Sequence, residues 1–223
     1  MENPYFDVQH VQAEVAAGRH REAIGGLWDV IGKLQSDFLI ENGLQTHHKL
    51  LDVGCGSLRG GVHFIRYLDP GNYFGIDVSP SLLDAGYDAE LGSAGLQERM
   101  PRENLRCTSE FDVGFDVQFD CALAQSVFTH LTFNRIRQCL ERLAPSMKPG
   151  GTFYATFFEL PEGSPAGTPL QHPHGIVTHD VADPYHYRLS DLEHAAAQLP
   201  WKVRYLGDWE HPRDQRMVMF ESL

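Results

Sequence analysis

The spacing of apolar positions changes several times along this chain, and each change marks a predicted element. Between residues 8 and 43, Ile24, Leu27, Trp28, Ile31, Leu34 and Phe38 recur at three- and four-residue steps. That is the stripe of a helix, with Gly43 as its C-terminal stop. From about residue 48 the pattern turns into short apolar runs separated by helical stretches. Strands are predicted near 48–53, 73–77, 104–108, 118–124 and 151–158. Helices are predicted near 58–68, 80–91 and 133–144. Pro80 suits a first helical turn, Thr132 is placed to cap, and Ile136, Leu140 and Leu143 share a face. Alternation of this kind predicts an α/β fold, a doubly wound, mostly parallel sheet with helices on both faces.

The rhythm breaks over 160–187, a stretch rich in Pro, Gly and His and long for a simple connection. Ser190-Asp191-Leu192-Glu193 then has the pattern of a capping box, opening a helix that ends near Leu199-Pro200. Two last strands, about 202–208 and 216–221, flank the turn Glu210-His211-Pro212-Arg213-Asp214. The expected organisation is a helical cap over 1–45 and a sheet domain over 46–223, with 160–187 as a lid-like insertion.

The stretch Leu50-Leu51-Asp52-Val53-Gly54-Cys55-Gly56-Ser57-Leu58-Arg59-Gly60-Gly61 brings in chemistry. An apolar run ends in an acid, breaks into a glycine turn and leads to a helix, and the next strand ends at Asp77. This layout holds an adenosine-containing cofactor at the carboxyl edge of a parallel sheet. Glycines let the backbone approach a ligand and permit positive φ. The Asp77 carboxylate is placed to accept hydrogen bonds from two ribose hydroxyls. The spacing Gly54-x-Gly56-x-x-x-Gly60 departs from the G-x-G-x-x-G of dinucleotide sites. Asp52 would repel a pyrophosphate, but it suits a cofactor carrying an ammonium and a sulfonium.

Here the chain resembles the class I S-adenosylmethionine-dependent methyltransferases, whose first motif reads acid-x-Gly-x-Gly. Tyr73-Phe74-Gly75-Ile76-Asp77-Val78-Ser79 is similar to the family's ribose-binding strand end. Phe119 to Leu131 resembles its fourth strand and active-site turn, and Leu143 to Phe153 its helix, Pro-Gly-Gly turn and fifth strand. The four motifs stand in order over roughly 48–158. The resemblance implies a Rossmann-like seven-stranded sheet whose C-terminal hairpin inserts an antiparallel strand, and S-adenosyl-L-methionine as cofactor. Its carboxypropyl end would meet Asp52, the turn Gly54, Cys55 and Gly56, and Arg59. Its ribose would meet Asp77 and Val78. Ser109 or Glu110 is the expected acceptor for the adenine amino group, with Phe111 stacking on the ring. Gln125 and Ser126 would contact the cofactor where sulfonium and acceptor meet.

The catalytic candidates are His130, Glu159 and His186. His130 follows the fourth strand and has a side chain that titrates near neutrality, fit to take a proton from an acceptor or to bond locally. Glu159 ends the fifth strand, as a substrate contact or a solvent-facing residue. His186 belongs to the His-rich loop with His172, His174, His179, Tyr185 and Tyr187, which reads as a lid more than as a metal site. No metal is assigned.

Composition narrows the partners. The 223 residues carry a formal charge of −12 with no dense basic run, so nucleic acid is not the expected substrate. No apolar run reaches the ~20 residues of a membrane span, and Met1-Glu2-Asn3-Pro4-Tyr5 lacks a signal-peptide layout. A cytoplasmic location is expected. Cys55, Cys107, Cys121 and Cys139 are scattered and read as reduced thiols. The expected activity is methyl transfer to an O, N or C nucleophile of a small molecule. Alternatives are a non-catalytic S-adenosylmethionine-binding protein, a methyltransferase acting on protein or RNA, and an NAD-dependent oxidoreductase. The glycine spacing, Asp52 and the terminal hairpin all speak against the last. Oligomeric state is not legible.

Overall fold

The computed structural model describes residues 8–223, so the first seven residues of the expected cap lie outside the described residues. β1 (Leu50–Val53) is buried along its whole length, as befits a central strand covered on both faces. It pairs in parallel with β2 (Tyr73–Asp77) on one side and β4 (Phe119–Ala124) on the other. β3 (Leu105–Cys107) lies beyond β2, and β5 (Met147–Glu159) beyond β4, again in parallel.

Past β5 the insertion holds an antiparallel pair, β6 (Leu170–His172) with β7 (Ile176–Thr178). A two-residue strand, β8 (His186–Tyr187), joins β5 in parallel at Phe158 and Glu159. β9 (Trp201–Asp208) and β10 (Arg216–Ser222) form the terminal hairpin, and β10 runs antiparallel to both β5 and β9. The sheet order is β3-β2-β1-β4-β5-β10-β9, with β8 off this path. This is the seven-strand arrangement that the sequence leads one to expect, plus an unforeseen short strand on β5.

The helix expected over 8–43 is broken into α1 (Val8–Ala16), α2 (His20–Ala23) and α3 (Trp28–Glu41). Gly18, Gly25, Gly26 and Leu27 take φ values of 75°, 89°, 64° and 50°, which no right-handed helix accommodates. Further on come α4 (Gly61–Tyr67) and α5 (Pro80–Ala85). Ser79 caps α5 by accepting from Leu82 N, and Pro80 opens its first turn. A π turn (Gly86–Leu91) and α6 (Gly92–Ala94) follow.

α7 (Phe133–Leu143) and α8 (Leu189–Ala196) complete the set. Thr132 precedes α7, but its side chain makes no capping bond. α8 starts one residue earlier than expected, because Asp191 accepts from Arg188 N at 2.8 Å and closes the first turn there.

Alternation along the strands divides the core into two layers. Leu51, Val53, Phe74, Ile76, Phe153 and Phe220 pack on the face covered by α7 and α8. Leu50, Tyr73, Leu123 and Met219 face α3 and α4. Asp52 lies on this second face, a carboxylate 4% exposed in an otherwise apolar strand.

Candidate active site

Strand order reverses between β1 and β4, so the loops leaving their C-terminal ends part and leave a crevice. A cleft of about 1020 Å³, counting its open mouth, lies there, with Asp52, Gly54, Gly56, Asp77, Gln125 and His130 among its lining. Two glycines make the turn after β1 possible. Gly54 and Gly56 have φ values of 73° and 53°. A Cβ on Gly54 would stand 2.5 Å from Val127 Cγ2. Gly54 N and Cys55 N both donate to Ile76 O, at 2.7 and 3.1 Å, which ties the turn to β2.

The tie sets the Asp77 carboxylate. Gly56 N donates to Asp77 Oδ2 at 2.8 Å, and Ser79 N donates to Oδ1 at 2.8 Å. Each oxygen keeps accepting capacity beyond those bonds. Burial pushes the Asp77 carboxyl up, against the backbone N–H groups of Ser79, Gly56 and Val78 that pull it down. Asp52 accepts from Tyr73 Oη at 2.7 Å. Burial raises its carboxyl to about 7, with the Tyr73 bond opposing, nearby Asp77 adding and Arg59 opposing.

Arg59 stitches three segments together at this end. Its guanidinium donates to Gly26 O at 2.7 Å and Ile24 O at 3.3 Å between α2 and α3, and to Gln125 Oε1 at 2.7 Å after β4. Gln125 Nε2 donates to Ser126 Oγ at 2.7 Å. Ser126 takes φ 58°, the left-handed region a side chain enters at a cost. It is held there by its own N–H on Thr156 Oγ1 and by Gln215, whose Oε1 accepts from Thr156 Oγ1 at 2.7 Å.

At the opposite end, Val78, Leu82, Thr108 and Phe111 line the cleft. Phe111 is buried with φ 56°, and the Arg135 guanidinium lies 4.9 Å from its ring centroid. Ser109 and Glu110, the expected adenine acceptors, are not among the lining residues. The Glu110 carboxylate is exposed and accepts from Gln138 Nε2 at 2.8 Å and from Arg135, while Ser109 gives its carbonyl to Arg135. The left-handed turn at Phe111 swings these two residues outward.

Of the catalytic candidates, the structure brings His130 into the cleft and leaves two outside its lining. Glu159 accepts from Tyr205 Oη at 2.5 Å and lies 3.9 Å from Arg216. His186 is 2% exposed, and its Nδ1 shares Thr178 Oγ1 with His172 Nε2, each at 3.0 Å. Burial pushes the imidazoles of His172 and His186 down, toward the neutral form. Among the described residues no three His, Cys, Asp or Glu side chains gather as metal ligands, and no helix is long and apolar enough to cross a membrane.

Sequence reasoning missed Ile24, Gln35 and Arg135, which line the cleft, and Asp183, whose Oδ1 lies 2.6 Å from His130 Nδ1. Gln35 carried a signal, as a polar residue set among the apolar positions of a helix whose stripe is buried. Asp183 carried none, since its partner stands 53 positions away.

Comparison with known proteins agrees with this geometry. Residues 51–153 match the family described as "Methyltransferase domain". The fold is similar to magnesium protoporphyrin IX methyltransferase (ChlM) from Synechocystis PCC 6803 with bound SAM, at a TM-score of 0.67 and 11% identity, covering 100% of this chain and 98% of that one. It is similar to DhpI in its SAH complex, at 0.64 and 14%, covering 99% and 97%. It is also similar to the glycopeptide N-methyltransferase MtfA complexed with SAH, at 0.63 and 13%, covering 86% and 90%. At such identities these likenesses speak for the fold, while the matched segment carries the glycine turn, Asp77 and the turn after β4. Residues 51–153 thus carry a methyltransferase domain, and the chain has the fold of methyltransferases solved with SAM or SAH bound.

Proposed function

We propose that the cleft holds S-adenosylmethionine with its ribose on Asp77, its adenine against Phe111 and its amino-acid end toward Asp52 and Arg59. The enzyme then passes the methyl group to an O, N or C nucleophile of a small molecule. One observation carries the reading. Both oxygens of Asp77 are fixed by backbone N–H groups at the lip of the glycine turn, at 2.8 Å each.

The residues present fit such a nucleoside. Gly54 and Gly56 make the positive-φ turn and let Val127 and Ile24 pack against its backbone, Val78, Leu82 and Phe111 offer an apolar slot, and Asp52 offers charge to an ammonium. When bound, the cofactor supplies a methyl group already activated by its positive sulfur.

The chain's own task is then to align and enclose, and alignment alone contributes on the order of 7–11 kcal/mol in favourable cases. Arg59 fixes the segment between α2 and α3 against the turn after β4, so Ile24 and Gln35 wall the methionine end. Residues 1–45 serve as the cap and 160–187 as the lid in this reading. A small acceptor accords with the formal charge of −12, which disfavours nucleic acid. A reducing, cytoplasmic setting accords with four unpaired cysteines, one of them exposed.

Thermal unfolding with S-adenosylhomocysteine or NAD tests the cofactor reading, because a ligand bound to the folded state alone raises the midpoint. A rise with the first and not the second is expected; the reverse pattern refutes it. Release of labelled methyl onto a panel of small alcohols, phenols and amines then tests the acceptor reading.

A further inference from the structure

Two buried polar side chains behind the cleft close a hydrogen-bonded ring with one strained residue. Ser126, the second residue past β4, takes φ 58°. Its N–H donates to Thr156 Oγ1 on β5 at 2.7 Å, and Thr156 Oγ1 donates to Gln215 Oε1 at 2.7 Å. Gln215 Nε2 then donates back to Ser126 Oγ at 2.7 Å. The Ser126 carbonyl accepts from Thr129 Oγ1 at 2.9 Å, so each polar group of this residue is held. Gln215 is 2% exposed and Thr156 is fully buried. Stability alone does not call for such a ring, since apolar side chains of the same shape would fill the space about as well. What the ring does fix is a backbone conformation that a serine enters at a cost.

That conformation directs one wall of the cleft. The next residue, Val127, presses on the glycine turn so closely that a Cβ on Gly54 would stand 2.5 Å from its Cγ2. Gln125, Ser126, Val127 and His130 all line the cleft. Gln125 accepts from Arg59 and donates to Ser126 Oγ, each at 2.7 Å. Gln215 and Thr156 are not among the lining residues, so their hold on the cleft runs through Ser126. Gln215 ends the β9–β10 loop, and the same loop sends Arg213 to Gly25 O at 2.5 Å, between α2 and α3. One loop thus braces two walls.

We propose that Gln215 is a positioning residue for cofactor binding, which holds Ser126 in the left-handed conformation that sets Gln125 and Ser126 toward the nucleoside. The proposal rests on the cofactor reading above. Without this clamp, a residue with a side chain at position 126 relaxes toward right-handed backbone in the empty protein, and binding must restore the strained form. That work appears as lost affinity. Glycine has no such preference, since left- and right-handed φ are about equally open to it.

Calorimetric titration with S-adenosylhomocysteine tests the clamp in the full chain. The variants are Ser126→Ala, Ser126→Gly, Gln215→Met, and Gln215→Met combined with Ser126→Gly. Alanine and glycine both lack the hydroxyl, so the difference between them reports the backbone. Ser126→Ala should bind about fivefold or more weakly than Ser126→Gly. Gln215→Met alone should cost about fivefold or more, and less than about twofold on top of Ser126→Gly. A purely structural role would lower the melting temperature and leave the affinity of the folded protein where it was.

Equal affinities for Ser126→Ala and Ser126→Gly would overturn the proposal. So would a Gln215→Met loss of the same size in both backgrounds, or a fall in melting temperature with affinity unmoved. Should Gln215→Met fail to fold, the alanine and glycine variants still decide it. No binding by wild type removes the cofactor reading itself, whereas normal wild-type binding with equal alanine and glycine variants removes only the clamp.

Discussion

Where the cleft is bounded by β1 and β2, the bonds that give it shape join near neighbours in sequence. Gly56 to Asp77 and Tyr73 to Asp52 each span 21 positions, and Ser79 to Asp77 spans 2. Around the turn after β4 the spans are 53 for His130 and Asp183, 86 for Gln125 and His211, and 89 for Ser126 and Gln215. Arg213 reaches back 188 positions to Gly25 O. One end is thus a strand–turn–strand unit that carries its own geometry. The other is assembled from the turn after β4, the insertion, the β9–β10 loop and the segment between α2 and α3. A unit of the first kind serves a constant ligand, and an assembly of the second kind is free to vary with the acceptor.

The largest expected effect breaks the local end. In the proposed binding mode Asp77→Ala removes two charge-assisted hydrogen bonds to ribose, each worth about 1.5–3 kcal/mol. Calorimetry should find S-adenosylhomocysteine bound about a hundredfold more weakly, or worse. Next is Gly54→Ala, which places a Cβ at φ 73° and 2.5 Å from Val127 Cγ2. Strain at such a position costs of order 1–3 kcal/mol. Urea denaturation should register the loss, and adding Val127→Ala should recover the part due to the clash.

A pH series sharpens the same comparison. Burial holds the Asp52 carboxyl at about 7 in the folded chain, above its ordinary value near 3.8. The folded state therefore binds this proton more tightly than the unfolded one. Its contribution to stability is full below the unfolded value and is lost as pH rises through about 7. The melting midpoint of the ligand-free enzyme should fall over that range, and Asp52→Asn should flatten the fall. An ammonium-bearing ligand favours the ionised carboxylate, so affinity for S-adenosylhomocysteine should rise between pH 6 and 8 in wild type and less in the variant. The smallest effect belongs to Glu110→Gln. An exposed side chain turned to Arg135 and Gln138 should change that affinity by less than about twofold.

The same contrast explains what could be read beforehand. The strand order, the glycine turn and Asp77 follow from short-range patterns, an apolar run, a break that only glycine tolerates and an acid at a strand tip. That Ser109 and Glu110 stand outside the cleft lining was not legible, because the left-handed φ of a phenylalanine, Phe111, has no compositional mark. The single helix expected over 8–43 failed at Gly18, Gly25 and Gly26, where backbone freedom outweighed a sound apolar stripe. Asp183, Gln215 and His211 were invisible because their partners lie tens of positions away, and only the folded chain brings them together.

The most direct measurement is a crystal structure of the enzyme with S-adenosylhomocysteine. The account predicts both ribose hydroxyls on the Asp77 carboxylate, adenine against Phe111 and the homocysteine tail toward Asp52 and Arg59. A nucleoside bound elsewhere, or lying in the cleft in the opposite direction, would contradict it.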